Sequence, residues 1–301
     1  MQNLTFLIVA IFLGICLKKF EILKNDAHLV LNNLLLYICL PSATLLYTTE
    51  TTFNTHYILP ILMPWILFVC SFIFFQVLAK FITIHPHTLA VLILTAGIPS
   101  VSFVGFPIFE MLYGQEGLKI GILMSQSGSF LVCSTLGIIV ASYYASAKPT
   151  FKSVIINVLK FPTFVAFCVA ILLNLTNVNF PPIIAEILKK LASPLSFLAL
   201  ISIGLQIDFS RKGLQISSLK WGLCYKLIIA PIVIFIFYIL ILKQKGQEVE
   251  ASILGAALGP MNTVAIIASN YKLNPTLAAQ MVGIGIPLSL ITTMILHFLL
   301  N

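Results

Sequence analysis

Two short polar interruptions inside apolar segments hold the residues whose types and spacing fit ligand recognition. The first is Gly97-Ile98-Pro99-Ser100-Val101-Ser102-Phe103-Val104-Gly105-Phe106-Pro107, and the second is Gly259-Pro260-Met261-Asn262-Thr263. Each falls mid-way through a run long enough to span a bilayer. Proline removes a backbone donor and its ring clashes with the preceding turn, so both runs are expected to be broken helices. In hydrocarbon, the N–H and C=O groups released by a break are tolerated only under other protein or beside a wet cavity. A broken helix also aims the partial positive charge of its second half's first turn into that cavity, where an anion is stabilised. Ser100, Ser102, Asn262 and Thr263 add neutral donors and acceptors at the same depth without the desolvation cost of a full charge. The paired interruptions therefore read as a substrate site built from Pro99, Ser100, Ser102, Gly105, Pro107, Pro260, Met261, Asn262 and Thr263. For each polar residue taken singly, capping of freed backbone is an equally good reading.

Other polar groups face the same choice. Gln126, within Ser125-Gln126-Ser127, falls mid-span and either joins the site or hydrogen-bonds a neighbouring helix. Tyr37, Pro41 and Ser42 are candidates for lining a pathway, although Tyr37 fits simple packing as well. Lys226, five residues before Pro231, is the one basic residue well inside a span. An intramembrane charge costs roughly 2.5–3.5 kcal/mol on insertion scales, which makes Lys226 a further pathway candidate. Snorkelling of its stem to the cytoplasmic surface is the alternative.

Just as informative is what the spans lack. Asp208 and Glu110 stand at helix ends, and no acidic residue lies deep enough to pair with Lys226. His28, His56, His85 and His87 lie in or near loops and His297 lies near the end of the chain, so no histidine relay is expected. No His, Asp or Glu converges on a mid-span Ser or Cys, which argues against an intramembrane enzyme. The six cysteines lie in apolar stretches without a C-x-x-C pair and read as small hydrophobes. Neither a metal ligand set nor a phosphate-cradling loop occurs, so no metal, cofactor or nucleotide is expected, and any driving force is a gradient.

The elements that must position these residues follow from composition. Of 301 residues, 59% are hydrophobic and only 9% charged, against about 25% in soluble proteins. Mean hydropathy is +1.07. Apolar runs mark an all-α membrane protein with ten transmembrane spans, at about 3–17, 29–48, 57–79, 88–113, 117–145, 153–175, 183–206, 217–242, 249–270 and 275–299. The first is short: about 15 residues at 1.5 Å each give about 22 Å against a core of about 30 Å. It is expected to tilt little, thin the bilayer or borrow Lys18 and Lys19 as snorkelling ends.

The net charge of +8 comes from basic residues at segment ends, which suits topology rather than nucleic acid. Loops after odd-numbered spans hold Lys18, Lys19, Lys24, Lys80, Lys148, Lys152, Arg211, Lys212, Lys220 and Lys272. Loops on the other side hold Lys119, Lys189, Lys190, Lys243 and Lys245, while Lys160 and Lys226 belong to neither group. The excess on the first side puts both termini on the extracytoplasmic side.

No linker divides the chain, so residues 1–301 form one domain. Within it, placing Pro99 on Pro260 sets Leu94-Thr95-Ala96-Gly97 against Gly255-Ala256-Ala257-Leu258 and Ser102 against Thr263. Placing Pro41 on Pro194 sets a second matching pair of segments in register. These echoes divide the chain into repeats of about 1–147 and 148–301. Five spans is an odd number, so the second repeat enters the membrane from the opposite side, and the two five-helix repeats are inverted.

The same residues resemble a known family. Asn33 through Tyr37 to Leu40-Pro41 is similar to the N-x-x-x-Y-x-x-L-P pattern of the auxin efflux carrier family, and Phe103-Val104-Gly105-Phe106-Pro107 to its F-x-G-x-P. Lys226 to Pro231 resembles its basic-residue-then-proline segment, and Gly259-Pro260-Met261 through Tyr271 to Pro275 its M-P…Y-G-x-x-P stretch. Where many members have Asn-Thr-Gly, this chain has Ser100-Val101-Ser102. The resemblance implies a ten-helix fold in which broken helices 4 and 9 cross, as in bile-acid symporters and sodium/proton antiporters. It further implies carriage of a small organic anion such as malate, malonate or an auxin-like carboxylate across a plasma (inner) membrane. A homodimer formed through spans 1, 2 and 7 is part of the same expectation. A sodium-coupled symporter of bile-acid-transporter type is the alternative.

Overall fold

Prolines stand at both breaks of this chain and just after three of its widened helical turns. In a computed structural model, residues 2–24, 26–145, 159, 161–178, 180–206 and 214–300 are described. The expectations for Lys148, Lys152, Lys160, Asp208, Arg211 and Lys212, and for the start of the sixth span, lie outside the described residues.

The first three helices are α1 (Gln2–Lys19), α2 (Ala27–Thr49) and α3 (Ile58–Phe81). They lead into α4 (Pro86–Gly97), α5 (101–113) and α6 (115–144). The second part of the chain forms α7 (Pro162–Leu175), α8 (Pro182–Gln206) and α9 (Ile216–Ile241). It closes with α10 (Gln247–Ala256), α11 (Asn262–Asn270) and α12 (Pro275–Leu300). Among the described residues six helical stretches are long and apolar enough to cross a membrane, with Val101–Tyr144 counted as one, and α4 and α7 are shorter apolar helices. Large apolar side chains such as Phe12, Val30, Leu172 and Phe298 point outward. Ser71, Thr95, Gln126 and Ser289 are buried. That distribution suits a chain whose solvent is lipid.

Helix α1 is longer than its apolar stretch, because Lys18 and Lys19 continue it as the last turn instead of flanking it. Basic side chains are favourable at that negative end. Its 18 residues make about 27 Å of helix, close to a full span. Gly14 lets it approach α8 closely: a Cβ there would stand 2.4 Å from the Ile201 carbonyl oxygen, and one on Gly204 2.3 Å from that of Ile11.

Three prolines follow wide π-type turns. Leu35–Cys39 precedes Pro41, Val101–Gly105 precedes Pro107, and Tyr225–Ile229 precedes Pro231. Widening a turn accommodates both the missing N–H and the ring, so these helices bend without ending. Between α5 and α6 the chain turns at Gly114, whose φ of 62° and ψ of −144° favour a residue without a Cβ.

Alternate connections gather at opposite ends of the molecule. At one end Gln215 Nε2 donates to Asn274 Oδ1 at 3.1 Å and Asn274 Nδ2 to Thr88 Oγ1 at 3.0 Å, which ties together the starts of α9, α12 and α4. At the other, Asn174 Nδ2 donates to the carbonyl oxygens of Thr48, Thr49 and Thr51 at the end of α2, at 3.2, 2.9 and 2.8 Å. Tyr113 OH reaches Glu250 Oε2 at 3.4 Å near the same end, joining α5 to α10.

Candidate functional site

Both expected breaks are present, and they meet. Helix α4 stops at Gly97 and α10 at Ala256, with Ile98 and Met261 in extended conformations. Ser100 N–H donates to the Gly259 carbonyl at 2.8 Å, and Met261 N–H to the Ile98 carbonyl at 3.1 Å. Pro99 and Pro260 thus face each other as an antiparallel bridge. They occupy the type of antiparallel pair whose own N–H groups are not used, so each break supplies bonds to the other without asking proline for a donor. Exchanging Pro99 with Pro260 turns one of the two hydrogen bonds into the other, which is a local two-fold relation.

Glycine makes room for this bridge. A Cβ on Gly285 of α12 would lie 2.8 Å from the Pro260 ring, and one on Gly259 would lie 2.7 Å from Ile286 Cα. On the other side, a Cβ on Gly105 would meet Leu258 Cδ1 at 2.8 Å. The Gly255…Gly259 pair is a close-packing feature as well, since Gly255 abuts Met124 and Met63.

On the α5 side the bridge is sealed by α6. Ser102 Oγ and Ser125 Oγ are 2.6 Å apart, and Gln126 Nε2 donates to Ser125 Oγ at 3.5 Å. Ser100, Gln126 and Ser129 are buried, yet Ser100 Oγ, Gln126 Oε1 and Ser129 Oγ have no hydrogen-bond partner among the described residues. On the α11 side a cavity of about 670 Å³ reaches Asn262 in the first turn of α11, within the range of small-molecule sites. Lys18, His28, Asn32, Gln206 and Gly283 are among its other walls. Asn262 Nδ2 donates to Gln206 Oε1 at 3.2 Å, Gln206 Nε2 to Ser202 Oγ at 3.2 Å, and Ser202 Oγ to Asn32 Oδ1 at 2.6 Å. This chain of amides and hydroxyls joins the crossover to α8 and α2, and Asn262 Oδ1 has no partner among the described residues.

The structure therefore brings Pro99, Ser100, Ser102, Gly105, Gln126, Pro260 and Met261 to the bridge and its α6 cover. Asn262 and Thr263 stand in the first turn of α11. Pro107 lines a different cavity of about 300 Å³ with Glu110 and Ser196, whose hydroxyl donates to the Glu110 carboxylate. Tyr37 is 64% exposed on α2, Pro41 is half-buried, and Ser42 is buried. Lys226 is fully buried, has no hydrogen-bond partner among the described residues and does not line the larger cavity. Lys18, His28, Asn32 and Gln206 escaped the sequence reading. The four-residue spacing of His28 and Asn32, which puts two polar groups on one face of α2, was the available signal.

Comparison with known proteins agrees with this architecture. The family model described as "Membrane transport protein" matches residues 1–297. The uncharacterized transporter MJ1031 of Methanocaldococcus jannaschii is 25% identical over 302 residues, covering 97% of this chain and 96% of that protein. The uncharacterized transporter YfdV of Escherichia coli strain K12 is 24% identical over 275 residues, covering 88% of this chain and 86% of its own length. A match running almost end to end, on a multi-pass helical fold with two joined helix breaks, places the chain in the auxin efflux carrier-like membrane transport protein family.

Proposed function

We propose that the protein is a secondary transporter that moves a small organic anion across a plasma membrane by alternating access about the crossover. In this reading α4 with α5, and α10 with α11, are the broken fourth and ninth of ten spans, arranged as inverted repeats of about 1–147 and 148–301. Both termini are extracytoplasmic, and two copies associate through the first, second and seventh spans. The single observation that carries the reading is the Pro99–Pro260 bridge together with the cavity that reaches Asn262 beside it.

The anion is favoured by charge and dipole. Lys18, His28 and amide side chains are among the described residues of the cavity wall, and the first turn of α11, which starts at Asn262, is the positive end of its helix. The pairing of Pro99 with Pro260, the two residues that the sequence echo superposes, supports the inverted repeats. The Ser100, Ser102 and Gln126 group is the corresponding recognition surface on the α5 side.

Flux of labelled malate, malonate and indole acids into and out of proteoliposomes tests the proposal. Saturable flux of at least one carboxylate is expected. Absence of flux for all of them, in both orientations and under varied ion gradients, contradicts it.

A further inference from the structure

Lys226 is the one charged side chain that is fully buried among the described residues, and its ammonium has no hydrogen-bond partner. Every described Asp and Glu is exposed or half-buried. The ion pairs among the described residues, Lys119–Glu116 and Lys190–Glu186, are made by side chains near helix ends. Replacing a buried charge by an apolar group is often neutral or stabilising, so an unpaired ammonium kept at depth is a functional-site hypothesis by default.

Its depth follows from the hydrogen bonds that tie Gln215, Asn274 and Thr88 at one end of the molecule. Counting along α9 from Gln215 puts Lys226 about 16 Å in, and counting along α4 from Thr88 puts Ile98 about 15 Å in. Lys226 is therefore level with the Pro99–Pro260 bridge. Its lateral position follows from the same helical face one turn earlier. Leu223 Cδ2 lies 3.2 Å from the Cβ position of Gly285, the glycine that abuts the Pro260 ring. Gly222 faces Leu92 of α4 and Met281 of α12. Neighbouring Tyr225 is anchored elsewhere, its hydroxyl donating to the Leu67 carbonyl at 3.1 Å.

We infer that Lys226 is the fixed counter-charge of the crossover site, held behind the bridge to neutralise the carboxylate of the transported anion. The inference rests on the anion-transport reading above and gives that site its charge selectivity. The cavity ends at Asn262 short of Lys226, but contact is not required: in a medium of low dielectric an ammonium acts across several ångströms. Entry of one carboxylate gives the ammonium form of Lys226 the counter-charge that no described Asp or Glu supplies at that depth. Neutral isosteres of the substrate gain nothing from Lys226 and are discriminated against on that ground.

Thermal unfolding of the purified full-length chain, with potassium malonate titrated against potassium chloride at equal ionic strength, provides the test with wild type, Lys226→Met and Lys226→Arg. Wild type is expected to gain stability with malonate beyond chloride. Lys226→Met is expected to be at least as stable as wild type without ligand and to require about tenfold more malonate for the same gain. Lys226→Arg is expected to keep the response. An unchanged malonate response in Lys226→Met overturns the role of Lys226 and leaves anion recognition intact. If Lys226→Met does not fold, loss of the response in folded Lys226→Arg is not expected, and a Lys226→Arg response equal to that of chloride alone overturns the role instead. Failure of malonate, malate and indole-3-acetate alike to stabilise wild type overturns the anion reading itself and the counter-charge with it.

Discussion

The two half-helices that begin at the crossover, α5 and α11, are held by hydrogen bonds that exchange under one two-fold relation, yet their first turns meet different surroundings. At α5 the polar groups are covered by α6, with Ser102 against Ser125 and Gln126 buried behind them. At α11 the first turn opens through Asn262 into a cavity of about 670 Å³. Symmetric bonding with asymmetric cover teaches that the backbone bridge and the access route are separate features. The bridge can stay intact while the helices packed around it determine which half-helix is reached, and this is what alternating access about a fixed centre requires.

Glycine substitutions break the comparison most severely. Gly259→Ala places a Cβ 2.7 Å from Ile286 Cα, a backbone atom that cannot swing away. It is expected to cost about 1–3 kcal/mol in thermal unfolding and to remove most carboxylate flux. Gly283→Ala, on the cavity wall with nothing within 4 Å of the new Cβ, is expected to leave stability within about 0.5 kcal/mol. Equal destabilisation by the two contradicts a tight bridge beside an open cavity.

Side-chain removal sharpens the contrast between the two ends. Asn262→Ala removes the amide that joins cavity and crossover, and is expected to raise the half-saturating carboxylate concentration about tenfold in flux measurements. Ser125→Ala removes the partner of Ser102 Oγ at 2.6 Å and is expected to lower unfolding free energy by about 1 kcal/mol. Ser100→Ala deletes a buried hydroxyl that has no partner, so the melting temperature is expected to hold or rise slightly. A clear fall on Ser100→Ala shows that the α5 end is hydrated or bonded rather than sealed.

The breaks were legible because proline and glycine act locally. Pro99 and Pro260 cannot continue a helix, and Gly97, Gly105 and Gly259 make close approach possible, so the sequence marks both interruptions without knowledge of what packs beside them. Gln126 was legible as a polar group at depth, and it does reach the Ser102–Ser125 pair through Ser125. The cavity was not legible. Lys18, His28, Asn32 and Gln206 come from α1, α2 and α8 and its helix ends, where a polar residue reads as a cap or a topology signal. Only the packing of α1 and α2 against α8, set by backbone approach at Gly14 and Gly204, gathers them onto the wall facing Asn262. The division of the Val101–Tyr144 helix at Gly114 depends on a positive φ that sequence alone does not announce.

Ala279 lies on the cavity wall, whereas Ser100 lies under cover. The most direct test of the central claim, that an anion enters the crossover through this cavity, is sided labelling of a Cys introduced at Ala279. The background has Cys16, Cys39, Cys70, Cys133, Cys168 and Cys224 replaced. In sealed proteoliposomes of known orientation, a membrane-impermeant maleimide is predicted to react with Ala279→Cys from the side that carries Lys18 and His28, and malonate is predicted to slow that reaction while chloride does not. Equal reaction from both sides, or a rate indifferent to every carboxylate that is transported, contradicts the account.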